Sequence, residues 1–203
     1  MCLIVIIDYG MGNLASVENA FHKLGFAAYT SNNPEEIIKA EKVVLPGVGA
    51  FADAINNLCQ LNLDAAIREV IRKQTPLLGI CLGLQLLFSE SEENGRFRGL
   101  DIIKGQVVKF KLPKQYKIPH MGWNQVQPIS NSQLFRGTPK GSYFYFVHSY
   151  YAVPENELYI AATSDYGPDF ACAIERNNIF ATQFHPEKSG NTGLRLLKNF
   201  AAL

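Results

Sequence analysis

The sequence predicts an α/β fold: a mostly parallel central sheet flanked by helices, with additional antiparallel strands in the second half. Three observations lead there. Short apolar runs rich in β-branched residues recur at Leu3-Ile4-Val5-Ile6-Ile7, Lys42–Leu45 and Leu77–Ile80. Segments whose apolar residues repeat at helical spacing lie between them. After about Glu90 the helical spacing stops, and strand-like segments follow one another.

Each element has its own signal. Leu3 to Ile7 reads as a strand buried on both faces. Gly10-Met11-Gly12-Asn13 is a turn, and Leu14, Val17, Phe21 and Leu24 then share one face of a helix that Gly25 stops. Phe26 to Thr30 is a second strand. Pro34 opens a short helix with Glu35 and Glu36 in its first turn, where negative charge is favoured. Lys42 to Leu45 is a third strand, leaving through Pro46-Gly47-Val48-Gly49. Helical spacing resumes through Phe51, Ile55 and Leu58 and again through Ile67, Val70 and Ile71, before the fourth strand at Leu77 to Ile80. Beyond it, segments near 101–112, 118–127, 143–148, 158–163, 170–176 and 179–184 read as strands, with Asn177-Asn178 turning one hairpin. A last helix from about Thr192 to Ala201 buries Leu194, Leu197 and Phe200. No linker or repeat divides the chain, so residues 1–203 are expected to form one domain.

Composition narrows the class of function. Basic and acidic residues nearly balance, 19 against 18, so no strong field gathers a nucleic acid or an anionic membrane. The N-terminal apolar run ends at Asp8 and lacks the basic flank of a signal peptide, and no segment has the length of a membrane helix. A cytoplasmic protein is the default. The four cysteines form no CxxC pair, and four scattered histidines give no HExxH or Cys/His cluster. Neither a disulfide framework nor a metal site is expected, and no cofactor is called for. Cys2, Cys59 and Cys172 read as packing residues.

Cys81 is different. It sits in Gly79-Ile80-Cys81-Leu82-Gly83, directly after the fourth strand, where small residues on both sides permit a tight elbow that exposes the thiol. His185-Pro186-Glu187 follows a later apolar run. A thiol, an imidazole to take its proton and a carboxylate to orient the imidazole form a nucleophilic set for acyl transfer through a thioester. If 185–187 is still extended chain, His185 and Glu187 point the same way. His120 and His148, at strand or loop positions, stay open as alternative bases; His22 falls inside a helix. Leu82 N–H and a backbone N–H of Gly47-Val48-Gly49 are candidate oxyanion donors. Gln85, one helical turn past Cys81, either reaches back over the pocket or is a polar residue on an exposed helix face.

The chain resembles the class I, triad-type glutamine amidotransferases, and within them is similar to the glutaminase subunits of imidazole glycerol phosphate synthases. The likeness rests on Asp8-Tyr9-Gly10-Met11-Gly12-Asn13-Leu14, Leu45-Pro46-Gly47-Val48-Gly49-Ala50-Phe51, Gly79-Ile80-Cys81-Leu82-Gly83-Leu84-Gln85, Pro119-His120-Met121-Gly122-Trp123-Asn124 and Phe184-His185-Pro186-Glu187-Lys188-Ser189. The resemblance implies Cys81, His185 and Glu187 as the triad. It implies oxyanion elements at Leu82 and Gly47-Val48-Gly49, and glutamine contacts at Gln85, Glu93 and the Ser149-Tyr150 backbone. It also implies a synthase-facing rim at Asn13, Met121, Trp123 and Lys188; from the residues alone, Trp123 reads equally as core. The implied reaction is hydrolysis of L-glutamine to L-glutamate and ammonia. The implied partner is a (β/α)8-barrel cyclase subunit in a one-to-one heterodimer. Service to a paralogous barrel synthase, or a catalytically silent regulatory module of the same fold, are the other readings.

Overall fold

The computed structural model describes residues 3–129 and 131–203. In chain order the elements are β1 (Leu3–Ile7), α1 (Leu14–Lys23), β2 (Ala27–Ser31), α2 (Pro34–Lys39), β3 (Lys42–Leu45), α3 (Phe51–Gln60), α4 (Leu63–Arg72), β4 (Leu77–Ile80), α5 (Leu82–Leu86), β5 (Phe88–Ser91), β6 (Phe97–Arg98), β7 (Ile103–Lys109), β8 (His120–Pro128), β9 (Ser142–His148), β10 (Tyr150–Pro154), β11 (Ile160–Asp165), β12 (Asp169–Arg176), β13 (Ile179–Thr182) and α6 (Gly190–Ala201). Short 3-10 turns lie at Glu157–Tyr159 and Pro186–Lys188.

The main path of the sheet runs β2-β1-β3-β4-β13-β12-β10-β7-β5-β6. Strands β2, β1, β3, β4 and β13 are parallel, whereas β12 pairs antiparallel with β13, and β10 with both β12 and β7. The β8–β9 hairpin joins this sheet through β11. The expected architecture is therefore present. Its central parallel strands β1, β3 and β4 are almost wholly apolar because both faces are covered. Val5 and Ile7 of β1 pack into the core under α3 and α4, while Ile4 and Ile6 pack into the core under α1 and α6.

Three strands escape the sequence reading. Strand β10 is separated from β9 by Ser149 alone, so one apolar run hides two strands. Strands β5 and β6 are short and partly polar, and β5 owes its place to parallel pairing with β7. Cys59 was expected in or near the core and is exposed, because on α3 its neighbour Leu58 takes the inward position. Cys172 is buried as expected. Cys2 lies outside the described residues.

Register is what builds the site. β13 lies parallel beside β4 with Thr182 opposite Ile80. The residues that leave these two strands, Cys81 and Gln183 to His185, therefore emerge at one carboxyl-terminal edge, where open α/β sheets bind ligands.

Candidate active site

Cys81 forms the elbow between β4 and α5. Its φ of 56° and ψ of −108° are a conformation that residues with a Cβ rarely adopt; such strain costs ~1–3 kcal/mol and survives only where surrounding structure enforces it. Here the Cys81 N–H donates to Thr182 O at 2.7 Å. A Cβ on Gly83 would overlap the Leu45 carbonyl, and one on Gly79 would lie 2.9 Å from Gly83 O. These glycines let the elbow sit against β3. Gly83→Ala is thus expected to destabilise the fold by about 1–3 kcal/mol through overpacking, read as a lower midpoint in denaturant unfolding.

The Cys81 sulfur is 3.9 Å from Val147 O and 3.8 Å from Gln183 Nε2, which donates toward it. His185 and Glu187 meet directly, with Nδ1 at 2.8 Å from Glu187 Oε1. The cause differs from the extended-chain expectation. Strand β13 ends at Thr182, and Pro186–Lys188 is a 3-10 turn that folds the carboxylate back onto the ring. The turn is clamped to β9: His185 N–H donates to Tyr145 O at 2.9 Å, Tyr145 N–H donates to Ser189 Oγ at 3.0 Å, and Ser189 Oγ donates to His185 O at 2.6 Å.

With Nδ1 taken by Glu187, Nε2 is the ring nitrogen left for chemistry. It is buried without a hydrogen-bond partner in the protein, as is Glu187 Oε2. Burial opposes charge on the imidazole. Interactions with Cys81 and with the Glu187 carboxylate outweigh that penalty and raise its pKa to about 10. A nucleophile paired with an imidazolium is ready both to attack and to protonate a leaving amine.

The alternative bases are excluded by their surroundings. Burial lowers the pKa of His120 to about 4 and of His148 to about 3. Both have their ring nitrogens committed to protein partners. His22 is on an exposed part of α1, within 2.8 Å of Ala28 O.

Cys81 opens into a cleft of about 290 Å³ that His185, Gln85, Glu93, Ser149 and Tyr150 also line. This is at the small end of ligand pockets, which run to roughly 300–1,000 Å³. Gln85 is buried, not an exposed helix residue: its Nε2 donates to Tyr150 O and to Gln183 Oε1, both at 3.0 Å. Glu93 lines the cleft and also caps α3, accepting from Phe51 N at 2.7 Å. Val48 and Gly49 also line the cleft. Gly47 is required by packing, since a Cβ there would lie 2.7 Å from the Tyr9 hydroxyl and 2.8 Å from Leu82 Cβ. The Leu82 N–H donates to Gly47 O at 3.4 Å, a long bond. An oxyanion using the Leu82 donor would replace that carbonyl, at little cost given its length.

Beside this cleft is a larger one, about 580 Å³, on the β8–β9 side. Met121 and Trp123 line it, with 65% and 56% of their surface exposed, so Trp123 is not a core residue. Strand alternation puts them outward, facing across the ladder to Val147 and Tyr145. Lys188 is exposed, and Asn13 is half-buried with no side-chain cap bond to α1.

The sequence model of the family described as glutamine amidotransferase class-I matches residues 5–202. The chain belongs to the class I glutamine amidotransferases. It is 57% identical over 200 residues to the imidazole glycerol phosphate synthase subunit HisH of Moorella thermoacetica, covering 98% of this chain and 94% of that relative. It is 51% identical to the subunit of the same name from Syntrophotalea carbinolica, with 98% of each chain covered. Among solved structures, PurLQS from Thermotoga maritima superposes with a TM-score of 0.77 at 14% identity, covering 98% of this chain and 97% of that one. The glutaminase domain of CTPS from Trypanosoma brucei, solved with acivicin bound, superposes at 0.68 and 17% identity, covering 100% and 94%. These two likenesses show the fold alone: the mixed sheet flanked by helices belongs to the class I architecture.

Within this class I frame, sequence reasoning missed Gln183, Tyr145 and Ser189. Gln183 carried a usable signal, a polar residue two before His185 inside an apolar run, since such a residue is tolerated in a core only when hydrogen-bonded. The Tyr145 and Ser189 clamp depends on pairing across 44 residues and has no local mark. Among the described residues, no three or more His, Cys, Asp or Glu gather as a metal cluster, and no helix is long and apolar enough to cross a membrane.

Proposed function

We infer that this chain is the glutaminase subunit of an imidazole glycerol phosphate synthase. It hydrolyses L-glutamine to L-glutamate and ammonia, and supplies the ammonia to a (β/α)8-barrel cyclase in a one-to-one heterodimer. The cyclase makes imidazole glycerol phosphate and aminoimidazole-carboxamide ribotide in histidine biosynthesis. The observation that carries the chemistry is the elbow thiol lining one cleft with a His185 whose Nδ1 is held by Glu187 and whose Nε2 is buried and free. The full-length likeness to HisH subunits supports the pathway and the partner.

The steps follow from the geometry. The Cys81 thiolate adds to the side-chain amide carbon of glutamine, and the carbonyl electrons move to oxygen. Leu82 N–H, once turned from Gly47 O, and a donor of the Gly47-Val48-Gly49 segment stabilise that oxyanion. The intermediate collapses by breaking the C–N bond; His185 Nε2 gives its proton to the leaving nitrogen, and ammonia departs. Water then adds to the thioester, losing a proton to the now neutral His185, and collapse releases glutamate and restores the thiolate–imidazolium pair. Gln85, Glu93 and the Ser149-Tyr150 backbone hold the amino-acid end of the substrate. Ammonia must leave through a sealed joint, because in water it protonates and stops being a nucleophile.

The rim at Asn13, Met121, Trp123 and Lys188 is where the cyclase docks. Trp123 is the chain's single tryptophan and stands exposed beside Tyr145, as an interface anchor does. The test is co-purification with the barrel cyclase from the same genome and measurement of glutamine turnover with and without the cyclase's ligand. Trp123→Ala should weaken association about 30-fold, the scale of a ~2 kcal/mol interface anchor. Lys188→Ala should reduce ligand-stimulated turnover more than association. Normal binding and full stimulation in both variants would remove this face from the mechanism, and glutamine turnover unaffected by any barrel ligand would overturn the pathway.

A further inference from the structure

Two histidines that the mechanism does not use stand behind the glutamine cleft. His120 on β8 and His148 on β9 are directly opposite in the ladder, both buried and both on its inward face. His120 Nδ1 and His148 Nε2 are 2.9 Å apart. His148 Nδ1 is 2.8 Å from Tyr150 O, and Asn124 Nδ2 is 3.2 Å from His120 Nε2.

These contacts leave one consistent placement of protons for neutral rings. Tyr150 O can only accept, so His148 carries its hydrogen on Nδ1 and presents a lone pair at Nε2. His120 must then donate from Nδ1, and its Nε2 accepts from the Asn124 amide. The order continues past the carbonyl. Tyr150 O accepts a second hydrogen from Gln85 Nε2, Gln85 donates its other hydrogen to Gln183 Oε1, and Gln183 Nε2 points at the Cys81 sulfur. Asn124 is tied in turn to Asp165 O at 2.7 Å, in the cleft that Trp123 and Met121 line.

We propose that His120 and His148 are positioning residues: a tautomer-locked relay that fixes the Tyr150 carbonyl, and with it Gln85 and Gln183, from the partner-facing side of the molecule. His148 touches the glutamine cleft; His120 does not line it and acts only through His148. Desolvation keeps both rings neutral near physiological pH, as the relay requires, because a second proton on His148 would set two N–H groups against each other. His120 lies nearly parallel to Phe146 and Tyr166, with centroids 4.8 and 3.9 Å away, which fixes its ring plane. A satisfied network of this kind rigidifies a site, and breaking one bond disturbs its neighbours.

The inference rests on the glutaminase reading, since Gln85 and the Ser149-Tyr150 backbone are there the wall that holds glutamine. Its test uses the full chain in a Cys81→Ala background, with glutamine affinity measured by calorimetry, so that neither turnover nor partner is needed. His148→Phe keeps an aromatic ring and loses the donor; it should weaken glutamine binding about tenfold, the loss of roughly one well-placed hydrogen bond. His120→Phe should weaken it about threefold, a fraction of that bond. Asparagine places an amide near the Nδ1 position, so His148→Asn and His120→Asn should each bind better than their phenylalanine counterparts, although Asn fills the core less well. Packing alone gives the opposite order, and that order, or unchanged affinity in folded Phe variants, would overturn the proposal. If the Cys81→Ala chain binds no glutamine at all, the glutaminase reading is what fails. The relay is then judged by nitrogen NMR of the unaltered chain, where both rings must show the Nδ1–H tautomer and His148 in the Nε2–H form would sink it.

Discussion

Replacing Cys81 with alanine is expected to abolish glutamine hydrolysis, with a loss on the order of 10⁶-fold in kcat, the scale at which removing a triad nucleophile leaves little beyond binding. The fold should survive, because the buried sulfur makes only long contacts, at 3.8 and 3.9 Å. Cys59 and Cys172 cannot substitute: one lies exposed on α3 and the other in the core. A glutamine-like alkylating inhibitor should leave its adduct on Cys81 by peptide mass spectrometry. An adduct elsewhere, with turnover retained in Cys81→Ala, would refute the assignment. A second substitution reads the strain. At φ 56° glycine is at ease where cysteine is not. Cys81→Gly should therefore be inactive yet more stable than Cys81→Ala by about 1 kcal/mol. Equal unfolding midpoints for the two variants would mean that the elbow stores no strain.

His185→Asn is expected to lose ~10²–10⁴-fold in kcat as acid–base transfer disappears. Glu187→Gln should fall between this variant and the unaltered chain, since the ring stays in place while its Nδ1 loses a charged acceptor. Near-normal turnover in His185→Asn would require another base, and neither His120 nor His148 has a free ring nitrogen to serve. The same pair makes a pH prediction. The folded-state pKa of His185, about 10, is above the ordinary 6.5. A raised basic group stabilises the fold fully below its unfolded value and loses that contribution as pH rises through the folded value. The contribution of His185 to stability should therefore be lost between about pH 6.5 and 10, and that loss should be absent in His185→Asn, where the imidazole is gone. On the kinetic side, kcat should fall on the alkaline limb as the proton destined for the leaving amine is lost. Identical pH–stability curves for His185→Asn and the unaltered chain would refute the raised pKa of His185.

Much of this molecule is set by local preference, and that part is legible from the residues alone. Short apolar runs and helical spacing, with glycine at turns, marked β1, β3, β4, α1 and α6 to within a few residues, because those signals come from neighbours along the chain. The elbow at Cys81 was legible for the same reason, as was a His-x-Glu pair capable of orienting an imidazole. The rest depends on which strand lies beside which. The parallel pairing of β13 with β4 sets Thr182 beside Ile80 and so brings Gln183 to Cys81 from 102 residues away. The β8–β9 register turns Trp123 outward, and turns His120 and His148 inward to each other, removing both as candidate bases. The 3-10 turn at Pro186–Lys188, not an extended strand, presents Glu187 to Nδ1. The Leu82 donor is occupied by Gly47 O only because two loops from different strands meet. Sequence spacing records the conformation each segment prefers; strand order and register, set by burying both faces of one sheet, choose which of those segments share a site.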